Sequence, residues 1–89
     1  NCEKAIKACQ EAIKIFPFKD FPIDYAKTQN NLGIAYGILA KVKDRTKNCE
    51  KALKAYKEAL KAITTRESQK FYRIVEKNLK RLLDFCGNQ

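Results

Sequence analysis

Asn1 to Ile13 reads NCEKAIKACQEAI and Asn48 to Leu60 reads NCEKALKAYKEAL, so one phrase returns 48 − 1 = 47 positions later. In its first copy Cys2, Ala5, Ile6, Cys9, Ala12 and Ile13 follow the i, i+3, i+4, i+7 spacing of a single helix face. Lys4, Lys7, Gln10, Glu11 and Lys14 fill the opposite side. The spacing predicts a helix over 1–15, with Asn1 accepting from a free first-turn amide and Glu3 near the positive helix end. Pro17 stops it, because its ring and missing N–H cannot continue the hydrogen-bond ladder. The second copy predicts a helix from Asn48 to Ile63, with Cys49, Ala52, Leu53, Tyr56, Ala59, Leu60 and Ile63 as its stripe.

Between the copies, FPFKDFP is an apolar connector whose Phe16, Phe18 and Phe21 can wedge against the neighbouring helices. Pro22 fits the first turn of a further helix, capped by Asp20 and running to about Lys43, with Tyr25, Leu32, Ala35, Tyr36, Leu39 and Val42 as its buried stripe. The polar stretch KDRTKN reads as a loop. After a break at Thr64 and Thr65, a fourth helix over 67–86 carries Phe71, Tyr72, Val75, Leu79, Leu82, Leu83 and Cys86, with Gly87 as a left-handed terminator. The same offset maps Tyr25 onto Tyr72, Asn31 onto Asn78 and Leu32 onto Leu79. The second and fourth helices are thus one element, and the chain alternates two helix types in the order B, A, B, A. The expectation is one all-α domain over 1–89: a partial repeat at 1–15, a complete one at 22–63 and a closing helix at 67–86.

The segment NNLGIAYGIL followed by EKALKAYKEAL resembles a tetratricopeptide repeat, through Leu32, Gly33 and Tyr36 and then Ala52, Tyr56 and Ala59. Ala5, Cys9, Ala12 and the closing Pro17 resemble the second helix of such a repeat. The resemblance implies antiparallel helix pairs stacked as an α-solenoid, in which the small residues allow close approach and the large ones fill the space between. The period of 47 exceeds that family's roughly 34 residues, as in long-period arrays with longer helices. Gln29 stands where a Trp is common, and Lys80 stands where Gly33 would recur, which marks the fourth helix as a closing cap with Lys70, Arg73, Lys77, Lys80 and Arg81 on its outer face. The resemblance also implies a ligand groove lined by the A-type helices, here by Lys27, Asn30, Asn31, Ile34, Gly37, Ile38 and Lys41. Asn31 resembles a groove asparagine that holds a terminal carboxylate in some relatives.

The chain has no His and no Trp, and its three glycines, Gly33, Gly37 and Gly87, form no phosphate-cradling loop. Catalysis by a hydrolytic triad or a His-based acid/base pair is excluded, and no Cys has a His to activate it. No cofactor is expected. Cys2 and Cys9 lie about 10 Å apart along one helix, too far to share a metal ion or a disulfide. All four cysteines take core-stripe positions, so the expectation is buried free thiols in a reducing cytoplasm, with no metal. No apolar run approaches the roughly 20 residues of a membrane span, no signal peptide is visible, and the missing initiating Met suggests a processed or excised chain.

With 19 Lys plus Arg against 10 Asp plus Glu, the net charge of +9 attracts polyanions without naming one. A nucleic-acid surface would use Lys41, Lys43, Arg45 and Lys47, but Tyr25, Tyr36 and Tyr56 lie on buried stripes and are poorly placed to stack on bases. The expected function is a non-catalytic scaffold that binds a protein or peptide in the A-helix groove. The alternatives are a self-associating module, by helix exchange or end-to-end joining, and a basic nucleic-acid-binding repeat.

Overall fold

In the computed structural model, described for residues 1–87 apart from the Glu67 side chain, the chain forms four α-helices: α1 (Cys2–Ile15), α2 (Pro22–Leu39), α3 (Arg45–Ala62) and α4 (Gln69–Gly87). A 3₁₀ turn, Arg66–Ser68, leads into α4, and no strand occurs among the described residues. Each helix packs on the next along the chain, and α2 also touches α4. The result is a slab of 36 × 25 × 16 Å.

Local chemistry places most helix ends. Asn1 Oδ1 accepts from the Lys4 amide at 3.1 Å, a side-chain cap on α1. Pro22 occupies the first turn of α2, but Phe21 rather than Asp20 is the residue before the helix, and no side chain caps it. Phe16 and Phe21 meet edge to face at 5.2 Å, and Phe18 stacks on Tyr25 at 5.5 Å, so the connector packs largely on itself and on the start of α2.

Three boundaries differ from the sequence expectation. α2 ends at Leu39, four residues before Lys43, because the amides of Lys41 and Val42 bond three residues back and tighten the chain into a turn. Val42, placed on the buried stripe, is therefore 77% exposed. Asp44 then takes the left-handed conformation (φ 44°), which its short polar side chain tolerates, and α3 begins at Arg45 rather than Asn48. Asn48 is buried inside the first turns of α3, where its Nδ2 donates to the Lys43 carbonyl at 2.9 Å. Gly87 closes α4 without a positive φ, so it does not act as a left-handed terminator.

The core has two adjoining parts. Ile6, Leu32, Ala35 and Ala55 form one, with Cys9, Ile13, Tyr36 and Leu39 against it. Ala26, Ala52, Tyr56, Ala59, Val75 and Leu82 belong to the other, which joins α2, α3 and α4. Gly33 is required here: a Cβ on it would lie 2.6–2.9 Å from three atoms of the Tyr56 ring. Tyr25 Oη donates to Glu58 Oε1 at 2.9 Å, tying the start of α2 to α3.

The expectation of free thiols fails for two of the four cysteines. Cys49 and Cys86 are joined in a disulfide with Cα atoms 6.2 Å apart. They lie near the start of α3 and the end of α4, antiparallel neighbours, so 37 residues of separation bring them face to face. Cys2 and Cys9 remain free and half-buried, and burial pushes the Cys9 thiol up from its ordinary value.

Candidate functional site

The side of α2 turned away from its packed faces carries Asn31, Ile34 and Ile38, with Lys41 in the turn just past its end, all exposed. Shifted by the repeat offset of 48 − 1 = 47, Lys27, Asn31, Ile34 and Ile38 become Ile74, Asn78, Arg81 and Phe85 of α4. These two equivalent faces meet along a groove of about 310 Å³. Ile34, Gly37, Ile38 and Lys41 form one wall, Asn78, Arg81, Leu82 and Phe85 the other, and Tyr56 of α3 lies beneath. Gly37 keeps the α2 wall low, since a Cβ on it would already touch Leu82 at 3.6 Å.

Asn30 does not line this groove. It is buried, and its Oδ1 accepts from Asn78 Nδ2 at 3.0 Å, which makes the pair a strut between α2 and α4. Asn31 lies instead in a shallower depression beside α1, with Asn1, Cys2, Ala5, Ile34, Ala35 and Ile38. Lys27 is exposed and lines neither. Among the residues assigned to repeat packing, Ala52, Tyr56 and Ala59 are buried, as are Leu32 and Gly33. Cys9, Ala12 and Tyr36 are half-buried, and Ala5 is exposed because no helix covers that side of α1 among the described residues.

Tyr56, Asn78, Arg81, Leu82 and Phe85 are the groove residues that sequence reasoning did not place there. Arg81 was assigned to an outer face, yet the offset that equates it with Ile34 places it on the groove side. Phe85 is held by cations: the Arg45 guanidinium lies 4.0 Å from its ring centre and Lys41 Nζ 6.0 Å. Arg45 Nη2 also donates to the Phe85 carbonyl, a favourable site for a cation near a helix C-terminus. Arg45 Nε is buried without a partner among the described residues.

These contacts break up the basic cluster of the loop. Arg45 is committed to Phe85, and Lys43 Nζ pairs with Glu3 Oε1 at 2.8 Å. That pairing holds the Glu3 carboxyl below its ordinary value and raises Lys43. Lys41 faces the groove rather than a shared cationic surface with Lys47. Tyr36 Oη accepts from Gln10 Nε2 at 3.4 Å, Lys51 Nζ lies 5.6 Å above its ring, and burial pushes the Tyr56 phenol up to about 12.

The groove thus offers alkyl and aromatic contact, one amide and two cations, which suit it to hold a ligand of mixed apolar and acidic character. Among the described residues no cluster of His, Cys, Asp or Glu could hold a metal ion, and no helix is long and apolar enough to cross a membrane. Compared with known proteins, the chain matches no family model, no curated protein and no solved structure.

Proposed function

We propose that this chain is a non-catalytic binding module of tetratricopeptide-like build, which holds a protein segment in the groove between α2 and α4. The observation that carries this reading is the composition of the groove: Ile34 and Ile38 exposed and Phe85 half-buried, beside the exposed Lys41 and Arg81. An apolar strip flanked by cations suits a segment that pairs one or two large apolar side chains with nearby carboxylates. The antiparallel succession of helices and the close approach of Gly33 to Tyr56 support the tetratricopeptide-like reading. The Cys49–Cys86 bond removes the free-thiol argument for a cytoplasmic setting, since such bonds persist in oxidising compartments.

Selection from a random peptide library displayed on phage tests the proposal. Recovered sequences should combine acidic and large apolar residues. The exposed pair Ile34→Asp with Ile38→Asp should abolish their binding and leave helicity intact. Peptides that bind this variant undiminished would place the site elsewhere.

A further inference from the structure

The last turn of α4 has little of its own to keep it in place. Asp84 puts a carboxylate at the negative end of the helix, no basic residue in that turn offsets it, and Gly87 is a poor helix former. Further back, Val75 and Leu82 are buried, with Phe71, Tyr72 and Leu79 packed beside them. Beyond Leu82, however, Leu83, Asp84 and Gly87 are exposed, which leaves Phe85 and Cys86, both half-buried, to hold the turn.

Arg45 grips Phe85 from an awkward position. It is the first residue of α3, where the positive helix end disfavours a cation, and its Nε is buried without a partner among the described residues. Against these stand the guanidinium over the ring at 4.0 Å and the hydrogen bond to the Phe85 carbonyl. One covalent bond can decide such a balance, and the next residue, Cys86, carries one to Cys49.

We propose, resting on the groove reading above, that the Cys49–Cys86 bond is a redox latch on the groove. Oxidised, it keeps Phe85 against Arg45 and completes the wall opposite Ile34 and Ile38. Reduced, the last turn of α4 comes away with Phe85, and the groove keeps Ile34, Ile38 and Lys41 but loses its aromatic wall. The chain thus holds its peptide in oxidising surroundings and releases it in reducing ones.

The bond is within reach of a reductant. A hollow of about 200 Å³, lined by both cysteines with Leu53, Leu82 and Leu83, lies beside it. Cys49 is 6% exposed and Cys86 half-buried, so Cys86 Sγ is the atom attacked. The reductant is a dithiol. Its first sulfur, deprotonated, bonds to Cys86 Sγ; the Cys49–Cys86 bond breaks, and the electron pair passes to Cys49 Sγ, which takes up a proton. Its second sulfur, losing a proton, attacks the mixed disulfide and expels Cys86 Sγ, which is protonated in turn. The dithiol leaves as a disulfide, and the protein gains two electrons and two protons.

The test uses a Cys2→Ser, Cys9→Ser background, where Cys49–Cys86 is the sole redox centre. The chain has no Trp, so Phe85→Trp places a single fluorophore at the latch and keeps an aromatic face for Arg45. On adding dithiothreitol, its emission should move to longer wavelength as the turn enters water, with loss of no more than the last turn from the helical circular dichroism. An unmoved emission maximum overturns the latch, and so does collapse of the whole helical signal, which would mean general unfolding. Affinity is read with Phe85 in place, by anisotropy of fluorescein-labelled peptides recovered on the oxidised chain by phage display. Reduction should weaken binding by about tenfold or more. Cys49→Ser with Cys86→Ser should bind as weakly as the reduced chain, with or without the dithiol. Equal affinity before and after reduction overturns the gating of the groove. Peptides that bind Ile34→Asp with Ile38→Asp undiminished count against the groove reading instead, while the emission of Phe85→Trp, recorded without peptide, still decides the latch.

Discussion

At the scale of single residues, Gly33 is the most exposed to refutation. A methyl group there would meet the Tyr56 ring at 2.6–2.9 Å, and that ring, 4% exposed, cannot swing aside cheaply. Overpacking of this kind costs about 1–3 kcal/mol, more than the roughly 0.5–1 kcal/mol a helix gains when Gly becomes Ala. Gly33→Ala should therefore lower the urea midpoint. An unchanged or higher midpoint would mean that the two helices separate readily. Tyr56 also gives a pH prediction. Its phenol is raised from the ordinary 10 to about 12 by burial, so the folded state holds the proton more tightly than the unfolded chain. The stability this contributes is fully present below pH 10 and is lost as pH rises through about 12. In a tyrosinate absorbance titration, a late phase should vanish in Tyr56→Phe, and a titration that ends at the ordinary tyrosine value would contradict the burial.

At the scale of elements, α4 depends on its tether to α3. A cross-link spanning 37 residues constrains the unfolded chain, worth about 3–4 kcal/mol in the chain-entropy description. Reducing Cys49–Cys86, or replacing both residues by Ser, should lower unfolding free energy by about that amount. Identical denaturation curves with and without reductant would show that the bond carries no stability. The same turn holds the groove wall, because Phe85 adjoins Cys86 and is clamped by Arg45. Hydrogen exchange after reduction should therefore quicken first at the end of α4, ahead of α2 and α3.

At the scale of the whole molecule, the repeat offset places like faces side by side, and the groove follows from that. Its cations act over short range in salt, since the screening length falls from about 10 Å at 0.1 M to about 3 Å at 1 M. Lys41→Glu with Arg81→Glu should slow association of an acidic peptide by about tenfold at low salt, and the difference should shrink as salt rises. A salt-independent loss would assign the effect to packing rather than charge.

Helix number, the apolar stripes apart from Val42 and the need for a small residue at position 33 were readable from one dimension, because each depends on local spacing or on a phrase repeated at a fixed interval. So was the α4 face of the groove, in principle: the offset equates Ile34 with Arg81 and Ile38 with Phe85. The equivalence of Cys49 and Cys86 with Cys2 and Leu39 carried no such message, since a pairing across 37 residues depends on which helix ends oppose each other. The start of α3 was hidden for a related reason. Asn48 looks like the cap that Asn1 is, but the turn at Asp44 delivers the Lys43 carbonyl to it and lets the helix begin three residues earlier. Periodicity records which side of a helix is apolar. Which neighbour covers that side, and which polar groups meet across the seam, depends on distances that exist only once the helices have packed.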